Sequence, residues 1–284
     1  MGALPRPDPG LPSARAALLS ARARLAAAGV PSPDVDARAL LEHALGGPLA
    51  LEAPDRTLMP GEAERFESLL ARRAAREPLQ WLTGSGFYGL DLMCRPGVLV
   101  PRPETERLVE LTLERATRGA AVLDVGTGSG AVALALAAER PDLKVFASDL
   151  SPAALALAAE NAARLRLPVT FLTSDLLARV PAGLAFQAIV ANLPYLPDAD
   201  REDLSPEVRR DPPAALFSGP DGLDLARRLA ASAPARLEPG GWLLLELDPR
   251  NAPVLAASLG PAWANVALHA DLAGRERFVT AQRA

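Results

Sequence analysis

Apolar residues recur at helical spacing in three stretches near the start of the chain. Between Ser13 and Ala28, leucines at 18, 19 and 25 fall among alanines and arginines, with a stop at Gly29 and Pro31. Between Asp34 and Leu45 the apolar positions are Val35, Leu40, Leu41 and Leu45, ended by Gly46-Gly47. Between Gly61 and Arg76, Phe66, Leu69 and Leu70 share one face, and Glu77-Pro78 closes the stretch. Three short helices of this kind predict a small helical domain over residues 1–80, which opens with a Pro- and Gly-rich arm, Met1 to Gly10. The period then changes. Thr83 to Leu90 and Asp91 to Cys94 read as short β segments punctuated by glycine, so residues 81–100 are expected to form a β-hairpin connector.

From Glu104 the pattern alternates. Helical stretches at Glu104 to Arg115, Gly130 to Arg140, Pro152 to Arg164 and Gly222 to Ala231 interleave with apolar runs. Those runs are Ala121 to Val125, Lys144 to Ser148, Val169 to Leu172, Ala188 to Val190 and Gly241 to Leu247. Trp263 to Leu268 and Arg277 to Ala281 look like a closing pair of strands. Strands alternating with helices mean a mostly parallel sheet covered on both faces, here over residues 101–284.

Composition narrows the function. Of 284 residues 49% are apolar and 23% charged, enough for a proper core. No run approaches the roughly 18 to 20 apolar residues of a membrane span, and the arm has no apolar signal core, so a cytoplasmic protein is expected. A single cysteine, Cys94, and two histidines, His43 and His269, leave no basis for a disulfide framework or a metal site. A net charge of −4 argues against a protein that coats nucleic acid. Lys144 is the sole lysine, which reads as a codon bias and carries no function.

The strongest local signal is Asp124-Val125-Gly126-Thr127-Gly128-Ser129-Gly130, after a strand and opening a helix. Three glycines allow a tight turn and close approach of a ligand to the backbone, and the helix start offers free N–H groups. Asp149 ends the next strand, where a carboxylate can accept both ribose hydroxyls of a nucleoside. Gly126-x-Gly128-x-x-Ala131 also satisfies a dinucleotide pattern, so this loop alone leaves the cofactor open. Asn192-Leu193-Pro194-Tyr195 follows the strand at Ala188 to Val190 and falls at the ligand edge of such a sheet. A carboxamide oxygen on Asn192 and the carbonyl of Leu193 can each accept one N–H of a substrate –NH2. That would turn the nitrogen toward an electrophilic methyl group, with Tyr195 stacking on the planar group.

These motifs together resemble the release factor glutamine methyltransferase family, known as HemK or PrmC, from about Glu77 onward. The landmarks are Glu77-Pro78-Leu79-Gln80, Thr83-Gly84, Phe87 to Leu90, Pro101-Arg102-Pro103-Glu104-Thr105-Glu106, the glycine loop, Asp149-Leu150-Ser151 and Ser174-Asp175. Asn192 to Tyr195, Asp211-Pro212-Pro213, Gly219 to Leu223 and Gly240-Gly241 complete them. The resemblance implies a class I S-adenosylmethionine-dependent methyltransferase with a Rossmann-like, seven-stranded sheet and a helical partner-binding domain. It implies S-adenosylmethionine as cofactor and S-adenosylhomocysteine as product. By the same resemblance Gly126, Thr127, Gly128, Ser129 and Gly130 hold the methionine part, Asp149 the ribose, and Asp175 with Leu176 the adenine, with Asn192 also touching the cofactor. Asn192 and Tyr195 would be catalytic, and Asn192, Leu193, Pro194 and Tyr195 would bind the glutamine of a Gly-Gly-Gln loop in peptide-chain release factors. No nucleic-acid substrate and no membrane are implied.

Two positions depart from the family pattern. Leu193 stands where that tetrapeptide usually has proline, a form also seen in ribosomal RNA adenine dimethyltransferases. Those place their extra domain after the catalytic one and lack the Pro101 to Glu106 stretch. The alternatives are thus adenine methylation in RNA or DNA, or a non-catalytic nucleoside-binding regulator. Because leucine keeps the carbonyl, Leu193→Pro is expected to be nearly neutral. Asp248 stands where glycine is common, and the sequence offers no reason. Cys94 and both histidines read as structural, the three tryptophans as packing residues, and Glu104 and Glu106 as helix-start charges.

Overall fold

The computed structural model of the protein describes residues 10–49 and 55–284, so most of the expected N-terminal arm lies outside the described residues. The chain divides into two compact units, residues 1–84 with 206–210, and residues 85–205 with 211–284.

The first unit is built on helices α1 (Ala14–Ala27), α2 (Pro33–Leu45), α3 (Pro60–Ala74) and the short α4 (Leu79–Thr83). Ser13 caps α1 by accepting the Ala16 N–H at 3.2 Å. The core stripe of α1 is Ala14, Ala17, Ala21 and Leu25, while Leu19 is 61% exposed. Small residues there let α2 and α3 approach closely, with Leu40, Leu41, Phe66 and Leu70 filling the centre. The segment 206–210 joins this unit through Glu207. Arg76 grips it with two nitrogens at 2.7 Å, and Arg73 adds a third contact at 2.9 Å. Arg73 is buried and turns its Nε to Asp36 at 2.7 Å, so no charge in this cluster stands alone.

The second unit begins with a hairpin, β1 (Ser85–Phe87) and β2 (Leu90–Leu92), which buries Phe87 and Leu92. Helices α5 (Glu106–Leu113), α6 (Ala131–Glu139), α7 (Pro152–Leu165), α8 (Asp224–Ser232) and α9 (Ala252–Ser258) follow in chain order. They alternate with strands β3 (Ala121–Val125), β4 (Lys144–Asp149), β5 (Val169–Thr173), β6 (Phe186–Asn192) and β7 (Leu237–Glu246). Strands β8 (Trp263–Ala270) and β9 (Glu276–Arg283) end the chain.

Among the described residues these seven form one sheet in the order β5-β4-β3-β6-β7-β9-β8, parallel from β5 to β7 and antiparallel at β9 and β8. Successive residues of each strand alternate between two cores. Val122, Val190 and Leu244 face α5 and α6, whereas Leu123, Ile189 and Leu243 face α8 and α9. The chain runs from β3 outward to β4 and β5, then crosses back to β6 on the other side of β3. A crevice therefore opens between the carboxyl ends of β3 and β6, where such sheets bind ligands. Among the described residues no helix is long and apolar enough to cross a membrane.

Candidate active site

The loop after β3 carries three glycines at positive φ, and each needs glycine for a different reason. A Cβ on Gly126 (φ +74°) would stand 2.8 Å from Leu193 Cδ2. At Gly130 (φ +88°) it would press on Leu134 at 3.0 Å and Ala158 at 3.2 Å, so this glycine lets α6 and α7 pack. Gly128 (φ +58°) has only Val98 within reach, at 4.0 Å, and its bareness leaves room beside the loop. Asp124 braces the turn from below, accepting from Thr127 Oγ1 at 2.7 Å and the Ala133 N–H at 3.2 Å. Burial nevertheless pushes its carboxyl up to about 7. Asp149, at the end of β4, accepts the Gly128 N–H at 3.0 Å on one oxygen and the Ser151 N–H at 2.8 Å on the other. Each oxygen keeps a further lone pair for a ligand hydroxyl.

These groups line a cavity of about 420 Å³ whose walls include Gly126, Thr127, Gly128, Ser129, Asp149, Asp175, Leu176, Asn192, Leu193 and Pro194. Gly130 and Tyr195 are not among its walls. The Asp175 carboxylate pairs with Arg228 at 2.8 Å, and Leu176 beside it adds an apolar side chain to the same wall. Asn192 closes β6 with Nδ2 donating to Thr105 Oγ1 at 2.9 Å, while its Oδ1 is buried with no partner among the described residues. A buried acceptor is costly unless something supplies it with a donor.

Tyr195 packs against the core beneath α8 and α9, and burial raises its hydroxyl pKa. Asn251 holds its carbonyl at 3.0 Å, and a Cβ on Gly222 would strike that same oxygen at 2.1 Å. The backbone after Asn192 is thus held tightly from two sides. Leu193 corrects the expectation that its side chain is dispensable: it is buried in the second core and lies over Gly126. Replacement by proline removes that contact even though the carbonyl survives. Asp248 also has a structural task, accepting Arg250 N at 2.9 Å and Nε at 2.8 Å, while Arg250 reaches Asp200 at 2.6 Å. It ties the turn after β7 to the segment that follows Tyr195.

The Pro101 to Glu106 stretch does more than start a helix. Arg102 donates to Asp211 at 2.9 Å, Glu104 lies 3.6 Å from Arg275, Thr105 holds Asn192, and Glu106 accepts the Tyr88 N–H at 2.8 Å. Dipole compensation at a helix start, the reading from sequence, misses these partners. Asn161 is a further residue without a sequence signal. Buried on α7, it accepts the Met93 N–H at 2.9 Å and donates to Ser129 O at 3.0 Å, joining the hairpin exit to the glycine loop. Cys94 is buried, and burial pushes its thiol up to about 12, so it stays protonated and inert. His269 pairs with Thr280 Oγ1 at 2.9 Å, away from the cavity walls.

Known proteins agree with this architecture. The PrmC N-terminal domain matches residues 16–84 and a methyltransferase domain matches residues 122–210. The release factor glutamine methyltransferase of Deinococcus radiodurans is 54% identical, over 94% of this chain and 97% of that protein. That of Cereibacter sphaeroides is 45% identical, over 94% and 97%. Among solved structures, a T. thermophilus 16S rRNA methyltransferase in complex with AdoMet and guanosine has a TM-score of 0.52 at 23% identity, covering 70% of this chain and 49% of that one. A methyltransferase from Pyrococcus furiosus has a TM-score of 0.51 at 20% identity, covering 78% and 98%. At such identities these two structures speak for the fold alone. The glycine loop, Asp149 and the Asn192 turn at one crevice, under relatives that match nearly end to end, identify the chain: it belongs to the release factor glutamine methyltransferase family.

Proposed function

We propose that the protein transfers the methyl group of S-adenosylmethionine to the side-chain amide nitrogen of the glutamine in the Gly-Gly-Gln loop of peptide-chain release factors. One observation carries the reading: Asn192 Oδ1, buried and without a partner among the described residues, in the wall of the cavity that the glycine loop also lines. The release-factor assignment rests on the named relatives.

The residues present fit the cofactor. The bare backbone at Gly128 and the spare lone pairs of Asp149 suit a nucleoside with a charged tail, and the raised turn at Leu176 (φ +48°) offers an apolar ledge. Gly126 to Ser129 would follow the methionine part, Asp149 the ribose hydroxyls, and Asp175 with Leu176 the adenine, with Gly130 only closing the loop onto α6. When bound, S-adenosylmethionine supplies a methyl group made electrophilic by its sulfonium sulfur, and S-adenosylhomocysteine is the product.

A carboxamide nitrogen is a poor nucleophile because its lone pair is delocalised into the carbonyl. Asn192 Oδ1 and the Leu193 carbonyl would each accept one N–H, fixing the nitrogen with its free face toward the methyl group. Such positioning supplies up to roughly 7 to 11 kcal/mol when orientation is ideal. Pro194 stiffens the turn, and Tyr195 supports it from the core side. The helical unit, including exposed Leu19 and Val35, is the surface proposed to recognise the release factor, since a glutamine side chain alone is too small to specify one protein. Release factors work in the cytoplasm, which is the proposed place of action. Incubation with labelled S-adenosylmethionine, release factor and ribosomal RNA together, followed by mass mapping, tests the reading. Label on the loop glutamine is the expected result, and label on an RNA adenine overturns it.

A further inference from the structure

The Asn192 carboxamide has two orientations of nearly identical shape. In one, Oδ1 faces the cavity and accepts an N–H. In the other, Nδ2 faces it and opposes a substrate amide that brings two donors of its own. Thr105 cannot choose between them alone, because a hydroxyl donates to an amide oxygen as readily as it accepts from an amide N–H. A third group that claims the Thr105 proton makes the choice.

Glu246 stands where such a group is needed. It is the register partner of Asn192 across β6 and β7, and paired residues of neighbouring parallel strands point to the same side of a sheet. It is 1% exposed, and neither carboxylate oxygen has a hydrogen-bond partner among the described residues. The Thr105 hydroxyl is near enough to pull the Glu246 pKa down, yet falls outside hydrogen-bond geometry.

We propose that Glu246 and Thr105 are positioning residues: Glu246 accepts a hydrogen bond from the Thr105 hydroxyl, Thr105 is thereby held as an acceptor toward Asn192 Nδ2, and Asn192 Oδ1 is left facing the cavity. The proposal rests on the reading that Asn192 accepts the glutamine amide N–H. It gives the threonine of the Pro101 to Glu106 stretch a chemical task, although Thr105 and Asn192 lie 87 residues apart. The charged and titratable groups around Glu246 are Arg277 on β9, Arg102 and Glu104 ahead of α5, and Tyr195. Burial, opposed by Thr105, Arg277 and Arg102, pushes its carboxyl up to about 7. Protonation makes Glu246 able to donate instead of accept, and the choice at Asn192 is lost.

The test uses the full-length protein with release factor and S-adenosylmethionine. Thr105→Val keeps shape and removes the hydroxyl. It is expected to lower kcat by about 10- to 100-fold, with KM for release factor and affinity for S-adenosylmethionine unchanged. Thr105→Ser restores turnover. In an Asn192→Ala background, Thr105→Val should add less than about twofold, because it acts through the missing amide. Wild-type kcat should fall on the acid side of about 7, and Glu246→Gln should flatten that limb. Wild-type turnover in Thr105→Val, or an equal loss in both backgrounds, overturns the proposal. Should Thr105→Val fail to fold, an unchanged acid limb in Glu246→Gln overturns it and a flat profile supports it. Absence of glutamine methylation by the wild-type protein would sink the functional reading itself, before any variant is compared.

Discussion

Leu193 Cδ2 lies 2.8 Å from the point where a Cβ on Gly126 would stand. The glycine loop and the Asn192 turn are therefore fitted to each other directly, across the crevice between β3 and β6. Gly126→Ala should lower affinity for S-adenosylmethionine at least about tenfold, combining a strained positive φ with overpacking of about 1 to 3 kcal/mol. Adding Leu193→Ala should recover part of that loss in calorimetry, since it removes the clash and leaves the strain. Leu193→Pro should lower the thermal midpoint by the equivalent of about 1 to 3 kcal/mol, where sequence alone suggests neutrality.

Asn192→Ala should bind S-adenosylmethionine normally and lose most turnover. Removing one preorganised acceptor costs about 2.7 to 4 kcal/mol, or roughly 100- to 1,000-fold in kcat. Single-turnover methylation of release factor measures this, and a near-normal rate removes Asn192 from its assigned role.

At Asp149 two functions share one carboxylate. Asp149→Ala loses the proposed ribose contacts and also frees the Gly128 and Ser151 N–H groups. Hydrogen bonds to a charged group are worth about 1.5 to 3 kcal/mol, so affinity should drop by about 10- to 100-fold or more. Asp149→Asn should be as damaging, because its NH2 would face at least one backbone donor. Titration of both variants with S-adenosylhomocysteine checks the order.

Much of the fold and of the site is legible in the amino-acid sequence. β3 and β4 announce themselves as apolar runs, and the observed bounds, Ala121–Val125 and Lys144–Asp149, differ little from the pattern. The missing pieces share physical causes. α4 and α9, of five and seven residues, are too short to show a period. β7 begins at Leu237 because the sheet absorbs Pro239-Gly240, which reads locally as a turn, with Gly240 at φ +73°. In the site, the glycine loop, Asp149 and Asn192 carry local signatures. Thr105 falls inside the recognisable Pro101 to Glu106 stretch, but its partner Asn192 lies far along the chain, and Asn161 and Asn251 likewise act through distant partners that nothing in their neighbours' identities marks.

Glu207 supplies a pH prediction for the helical unit. Burial would raise its pKa, but the Arg76 and Arg73 guanidiniums win and hold it at about 2, below the ordinary 4.5. A depressed carboxylate contributes stability that is fully present above about 4.5 and is lost as pH falls toward about 2. Glu207→Gln should lower the thermal midpoint at neutral pH, and its deficit relative to wild type should shrink across that window. A deficit constant with pH would remove Glu207 from the acid transition.

The proposed recognition surface predicts a kinetic split. Leu19→Asp and Val35→Asp alter side chains that are 61% and 65% exposed, so folding should be little affected. KM for release factor should rise with kcat unchanged, because uniform binding energy is removed. An unchanged KM in the double variant would place recognition elsewhere.

The grip of Arg73 and Arg76 on Glu207 also bears on how such a chain can be recombined. The five residues 206–210 belong with the helices yet are encoded more than a hundred positions after them. A crossover near residue 84 would bring in foreign helices facing a resident Glu207, with no guarantee of arginines to meet it. The inherited module is thus discontinuous, and a functional exchange of the N-terminal part has to carry that pentapeptide with it or replace its carboxylate.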